Sequence, residues 1–247
     1  MNRSMHTAVE LSIVIPAFNE ATRLPIVLDD IRRHCSTEFG PAYEVIVVDD
    51  GSTDAMANSL TTLSLDWPQL HVVSHKKNRG KGAAVRTGML AAIGNYLLFM
   101  DADGATPIQD EVKLRRCLDQ GVDIAIGSRI VASSKVMRRR RWSRRLTGWV
   151  FRKSQAFFVD IPVLDTQCGF KMFRQGVAKE LFANCDEDGY LFDIFVLRLA
   201  MQRGFLVREL PVSWREVEGS KVRMFRDSYL MWHGLRRIKW KLKKELR

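Results

Sequence analysis

Tyr43–Asp54 reads YEVIVVDDGSTD. Its β-branched run stops abruptly on Asp-Asp-Gly-Ser, so the segment predicts a short buried strand that delivers two carboxylates to a turn. Upstream, Leu11–Pro16 (LSIVIP) has the same character, and Leu24, Val27, Leu28 and Ile31 recur between the two at helical spacing. Strand, helix and strand make a βαβ unit. The rhythm continues with helices near 55–65, 80–93 and 110–120 and strands at 71–74, 96–100 and 123–126. Strands this continuously apolar are buried on both faces, which predicts an α/β fold with a doubly wound, mostly parallel sheet. After Gly127 the alternation breaks; only a helix near 192–202 and a strand near 206–210 stand out before a basic C-terminus.

The chain has 247 residues, 46% of them hydrophobic, enough to bury one substantial core. Its formal charge of +11 is concentrated in the stretch from Arg138, RRRRWSRRLTGWVFRKSQAFF, and in Arg236–Arg247. Clustered positive charge of this kind implies an anionic partner. Cys35, Cys117, Cys168 and Cys185 form no C-x-x-C pair, which argues against a zinc site and for a reducing compartment. The N-terminus lacks the apolar core of a signal peptide, and no segment approaches the roughly 20 apolar residues of a membrane span. Membrane contact is therefore expected to be peripheral.

Three acidic motifs each follow a predicted strand: PAFNE (Pro16–Glu20), DDGSTD (Asp49–Asp54) and DADG (Asp101–Gly104). Ligands of open α/β sheets bind beyond the carboxyl ends of the strands, where all three motifs fall. Ser52–Asp54 also suit a helix N-cap. In DADG, two carboxylates spaced i, i+2 on a turn can share a hard divalent cation, Mg²⁺ or Mn²⁺, which keeps water and bridges to substrate phosphates. Lys81 in NRGKG lacks the spacing of a phosphate-binding P-loop; its Gly80–Gly82 run fits the close approach of a helix N-terminus to a nucleotide.

LSIVIPAFNE, VIVVDDGSTD, NRGKGAAVRTGM and LLFMDADGATP together resemble, in order and spacing, the GT-A nucleotide-sugar glycosyltransferases of family 2. GSR (Gly127–Arg129), DTQCGFKMF (Asp165–Phe173) and WREVEGSKVR (Trp214–Arg223) are similar to its dolichyl-phosphate glucosyltransferase branch. The resemblance implies a single GT-A domain over 1–247, Rossmann-like, with C-terminal amphipathic helices. A nucleotide-sugar-binding half would span 9–128 and an acceptor half 129–223, with a basic interfacial helix at 137–159 and a basic amphipathic helix at 224–247.

By the same resemblance, Pro16, Ala17, Phe18, Glu20, Val48, Asp50, Lys81, Asp101, Ala102 and Asp103 would bind the nucleotide sugar. Glu20 would accept from the ribose and Asp50 from the uracil N–H. Asp101 and Asp103 would hold the metal, and Lys221 and Arg223 would close over the diphosphate. Asp103, Asp165 and Arg129 would carry the chemistry, with Arg129, Arg140 and Arg144 receiving the acceptor phosphate. Two departures stand out. Ala105 follows DADG where some lipid-phosphate mannosyl enzymes have a metal-contacting Gln, and Phe195 stands where the dolichyl branch usually has Glu, although Asp193 is retained.

A hydroxyl acceptor needs a carboxylate base, whereas a phosphate monoester, with a second pKa of roughly 6, is already largely dianionic at neutral pH. Positioning then suffices, and the arginine fork suits it. The expected activity is inverting transfer of a hexose, glucose favoured, from UDP-glucose or another nucleotide sugar to a polyprenyl or dolichyl phosphate. In helical register, Trp142, Leu146, Trp149 and Val150 lie beside Arg138, Arg141 and Arg145, and Met231, Leu235, Ile238 and Leu242 lie beside a second basic face. Both patterns fit peripheral attachment to an anionic cytoplasmic membrane face. Nucleic acid as a partner would leave the acidic crevice unexplained. A glycosyltransferase using a hydroxyl acceptor, such as a polysaccharide, stays open, although Arg138 replaces the Gln of the Q-x-x-R-W usual in processive synthases. A noncatalytic basic protein binding membrane or nucleic acid is the reading from another class.

Overall fold

The computed structural model describes residues 8–131 and 161–217. Arg140, Arg144, Lys221 and Arg223 lie outside the described residues, as do the two basic amphipathic helices expected at 137–159 and 224–247.

The apolar runs form seven strands: β1 (Leu11–Ala17), β2 (Tyr43–Asp49), β3 (Leu70–Ser74), β4 (Tyr96–Met100), β5 (Ile124–Ser128), β6 (Phe170–Arg174) and β7 (Val207–Pro211). They join one sheet in the order β3-β2-β1-β4-β6-β5-β7. β1 is parallel to both β2 and β4, β2 to β3, and β5 to β7. β6 runs antiparallel between β4 and β5. From β1 the chain winds outward through β2 and β3, then returns to β4 on the other side of β1. The strand order therefore reverses at β1 and β4, where such sheets open a ligand crevice.

The helices are α1 (Leu24–Phe39), α2 (Met56–Leu65), α3 (Lys81–Ala91), α4 (Glu111–Asp119), α5 (Gln175–Ala183) and α6 (Phe192–Gln202). The twofold alternation of the strands divides the core in two. Val14, Ile46, Val48, Leu97 and Phe99 face α3, α5 and α6. Ile13, Ile15, Val45, Val47, Leu98 and Met100 face α1, α2 and α4. Both faces are covered, which explains why strands with no polar alternation are stable here.

Every strand and helix expected between residues 11 and 128 is present, with ends shifted by a few residues. β6 and α5, within the segment after Gly127 that broke the pattern, are additions. Among the described residues no helix is long and apolar enough to cross a membrane.

Candidate active site

The ends of β1 and β2 are stitched together by their own turns. The Ser52 hydroxyl accepts from the Asn19 N–H at 2.9 Å, and the Asn19 side-chain oxygen accepts from the Thr53 N–H at 2.8 Å. Asn19 pays for this with a positive φ of 55°, a conformation Asn tolerates better than most residues. Asp49 accepts from the Ser52 N–H at 2.9 Å, and Asp54 from the Ala21 N–H at 3.0 Å. The PAFNE and DDGSTD loops therefore form one wall. Pro16, Phe18 and Glu20 are partly exposed on it, while Ala17 is buried. Glu20 is held by Arg23, whose Nε and Nη2 donate at 2.7 and 2.6 Å, so a ribose hydroxyl would share that carboxylate.

Asp50 is buried and acts as a hub. Its carboxylate accepts from the N–H groups of Arg79 at 2.9 Å and Gly80 at 2.8 Å, and His75 Nδ1 lies 2.7 Å away. The His75 ring continues to Thr87 Oγ1 at 3.0 Å. Asp50 thus fixes the start of α3 and with it Lys81. Three of its roughly four lone-pair positions are occupied within the protein, so contact with a base would use the remaining one. Val48 is fully buried in the core and presents no side-chain surface to a ligand.

Gly80 makes the approach of α3 possible. Its φ of +106° favours glycine, and a Cβ there would lie 2.4 Å from the Asp188 carbonyl oxygen. Gly80→Ala is expected to cost roughly 1–3 kcal/mol from backbone strain alone. It should also weaken nucleotide-sugar binding through displaced Lys81, which calorimetric titration and thermal melting together would measure.

At the end of β4, Lys81 Nζ sits 2.7 Å from Asp101 Oδ1. Burial would lower the Lys81 pKa, but the carboxylates of Asp101 and Asp193 outweigh it and the net shift is upward. Asp103 accepts from the Ala105 N–H at 3.0 Å. Desolvation, then the neighbouring Asp101 charge, push the Asp103 carboxyl above the ordinary range. Two crowded carboxylates already attracting an ammonium are a donor set that suits a hard divalent cation. Among the described residues no group of three or more His, Cys, Asp or Glu could hold a metal by itself. A cation held by Asp101 and Asp103 would need water and substrate phosphate to complete its shell. Ala102 is buried between the two acids.

At the end of β5, Arg129 and Asp165 form a two-pronged clamp. The Arg129 Nε and Nη2 donate to Asp165 at 2.7 and 2.6 Å, and the Arg129 backbone N–H at 2.9 Å. Despite desolvation, these bonds hold the guanidinium pKa above its ordinary value. Trp214 stacks against it, with the guanidinium carbon 5.8 Å from the ring centroid. Glu209 on β7 accepts from the N–H groups of Leu164 and Asp165 at 3.0 and 2.8 Å and so fixes the turn carrying Asp165. Arg129 and Asp165 are thus one unit rather than two independent groups.

Neither His75 nor Glu209 stood out in the sequence. His75 was detectable only by its place just after β3, Glu209 as the lone acid in an edge strand. A pocket of about 210 Å³ opens between α1 and the turn after β4, bounded by Val27, Ile31, Ile108 and Trp214. None of Asp50, Asp101, Asp103 and Asp165 lines it, although Ala105, which donates to Asp103, and Trp214, which stacks on Arg129, do, so it adjoins the site from behind these two residues. All four cysteines are free and buried. Burial pushes the Cys168 and Cys185 thiols up to about 12, which removes them as nucleophiles.

Residues 12–182 match the model of glycosyl transferase family 2. The chain belongs to that family. This family 2 glycosyltransferase is 34% identical over 238 residues to the dolichyl-phosphate beta-glucosyltransferase of Saccharomyces cerevisiae, covering 90% of this chain and 71% of the relative. It is 36% identical over 248 residues to the Drosophila melanogaster protein of the same name, covering 91% and 75%. Its fold is shared with glucosyl-3-phosphoglycerate synthase from Mycobacterium tuberculosis, solved with Mn²⁺, UDP-glucose and phosphoglyceric acid. That match has a TM-score of 0.70 at 20% identity, over 94% of this chain and 79% of the other. The GT-A architecture expected from the motifs is the one found.

Proposed function

We propose that this glycosyltransferase moves a hexose, with glucose favoured, from a nucleotide sugar such as UDP-glucose to a dolichyl or other polyprenyl phosphate. The observation that carries the reading is the juxtaposition of Asp101 and Asp103 at one strand end with an arginine clamp, Arg129–Asp165, on the acceptor side. The acid on that side is ion-paired with arginine rather than offered as a general base, which suits an acceptor that needs none. The names of the yeast and fly relatives support the same acceptor and sugar.

Asp101 and Asp103 would hold Mg²⁺ or Mn²⁺, which when bound neutralises the departing nucleotide diphosphate. Lys81, beside Asp101, adds a fixed positive charge at the same place. Arg129 presents Asp165 with its Nε–Nη2 edge, and the remaining Nη1 would orient the lipid phosphate. Asp165 keeps that guanidinium oriented and adds negative potential where positive charge develops at the anomeric carbon. An acceptor phosphate oxygen then forms its bond to that carbon as the bond to the diphosphate breaks. One displacement turns an α-linked donor into a β-linked lipid phosphate sugar. The basic amphipathic stretches at 137–159 and 224–247 support work at the cytoplasmic face of an anionic membrane.

The purified full chain, incubated with Mg²⁺, polyprenyl phosphate and a panel of radiolabelled nucleotide sugars, is expected to move label into the chloroform phase, fastest from UDP-glucose. Label appearing only on a hydroxyl acceptor would sink the reading.

A further inference from the structure

Lys171 is a lysine in the interior of β6, with its side chain only 2% exposed. Its ammonium donates to Asp193 at 2.5 Å and to the Cys168 carbonyl at 2.6 Å. It also lies 5.6 Å from the centre of the Phe99 ring, whose surroundings Lys81 shares at 5.3 Å. Asp193, in the first turn of α6, is equally buried, and burial raises its carboxyl pKa against the pull of Lys171 and Lys81. A buried ion pair is weak evidence for stability, because desolvation offsets much of the attraction. Its placement here suggests another use.

Three segments meet at this pair, and each carries part of the site. Cys168, whose carbonyl Lys171 grips, also donates its N–H to the Asp165 carbonyl at 3.2 Å, closing the turn that presents the Arg129 clamp. The next residue, Gly169, accepts from the Asp101 N–H at 2.9 Å. A Cβ on Gly169 would fall 2.0 Å from Asp101 Oδ2, so this backbone touches the carboxylate itself. On the third side, the loop entering α6 is bound to α3, the helix that begins at Lys81. Ala83 N–H donates to the Asp188 carbonyl at 3.2 Å, and Arg86 Nη1 to the Cys185 carbonyl at 2.8 Å.

We propose that Lys171 and Asp193 are positioning residues that set the spacing between the donor side, Asp101 with Lys81, and the acceptor side, Arg129 with Asp165. The inference rests on the transferase reading above. Neither residue touches substrate in it; they act by holding the Cys168–Gly169 backbone and the start of α6 in one register. A displacement of about 1 Å between reacting groups can cost roughly 100-fold in rate, so a small slip of this joint would reach turnover before it reached binding.

The test separates this role from stability. Asp193→Asn is isosteric, and Lys171→Met with Asp193→Leu removes both charges while keeping the volume, a replacement that is often neutral or stabilising. All assays run well below each variant's melting temperature. The double variant is expected to melt near the native protein yet to lose about 10- to 100-fold in kcat, with KM for nucleotide sugar and acceptor within about threefold. Asp193→Asn should show the same loss of kcat with a lower Tm. Recovery of native kcat along with native Tm in the double variant would overturn the proposal and leave the pair purely structural. If the double variant does not fold, native kcat in Asp193→Asn overturns it instead. Should the native chain use only a hydroxyl acceptor, the proposed acceptor fails, and the split of kcat from Tm is read with that acceptor.

Discussion

Asp103→Ala is expected to reduce sugar transfer by at least about 10³-fold, equivalent to roughly 4 kcal/mol of transition-state stabilisation, while leaving the fold intact. The size follows from the place of Asp103 beside Asp101 at the end of β4, where the proposed reaction would neutralise charge on the departing diphosphate. The intact fold follows from the electrostatics. Desolvation and Asp101 already penalise the Asp103 anion, so removing it relieves repulsion and sacrifices one hydrogen bond, from the Ala105 N–H at 3.0 Å. Initial rates at saturating donor and acceptor give the first quantity and thermal melting the second. Mn²⁺-dependent binding of the nucleotide, followed by calorimetry, should weaken in parallel. Retention of more than about a tenth of native turnover would remove Asp103 from the reaction centre.

The strand ends that carry the proposed donor-side carboxylates were legible because their pattern is local. Strands of unbroken apolar residues can only be buried on both faces, and Asp50, Asp101 and Asp103 follow such strands directly. Topology then carries them to one crevice without help from distant sequence. β6 was not legible, and Lys171 is the reason. A lysine at the second position of a five-residue strand that also ends on Arg174 reads as an interruption. It becomes a core residue only because Asp193, 22 positions away, and the Cys168 carbonyl supply its partners. The Arg129–Asp165 clamp was hidden in the same way. Each residue was recognisable as a candidate, yet their pairing across 36 positions depends on β6 entering between β4 and β5 and on Glu209 fixing the Asp165 turn. Asp50 shows a third limit: a carboxylate at a strand end looks like a ligand-binding group, and only the folded chain reveals how much of it is used to seat α3.

That pairing changes what Arg129→Ala should do. Were Arg129 an isolated phosphate ligand, its loss would affect the acceptor alone. In the folded chain its removal also strips Asp165, only 4% exposed, of its guanidinium partner. Breaking a buried pair costs roughly 3–5 kcal/mol, and the one-fifth exposure of the arginine side chain puts this case near the lower end. For a domain of this size about 3 kcal/mol corresponds to a fall in Tm of roughly 6–12 °C. Lost charge-assisted hydrogen bonds to phosphate, about 1.5–3 kcal/mol, should raise the acceptor concentration for half-maximal rate by roughly 10- to 150-fold. Nucleotide-sugar affinity should stay within about threefold. Arg129→Lys keeps the charge but not the fork, so it should recover part of the stability and little of the acceptor affinity. Combining Arg129→Ala with Asp165→Ala removes both members of the pair and should restore much of the Tm without restoring acceptor use. Equal loss of donor and acceptor binding in the single variant would instead place Arg129 on the donor side of the crevice.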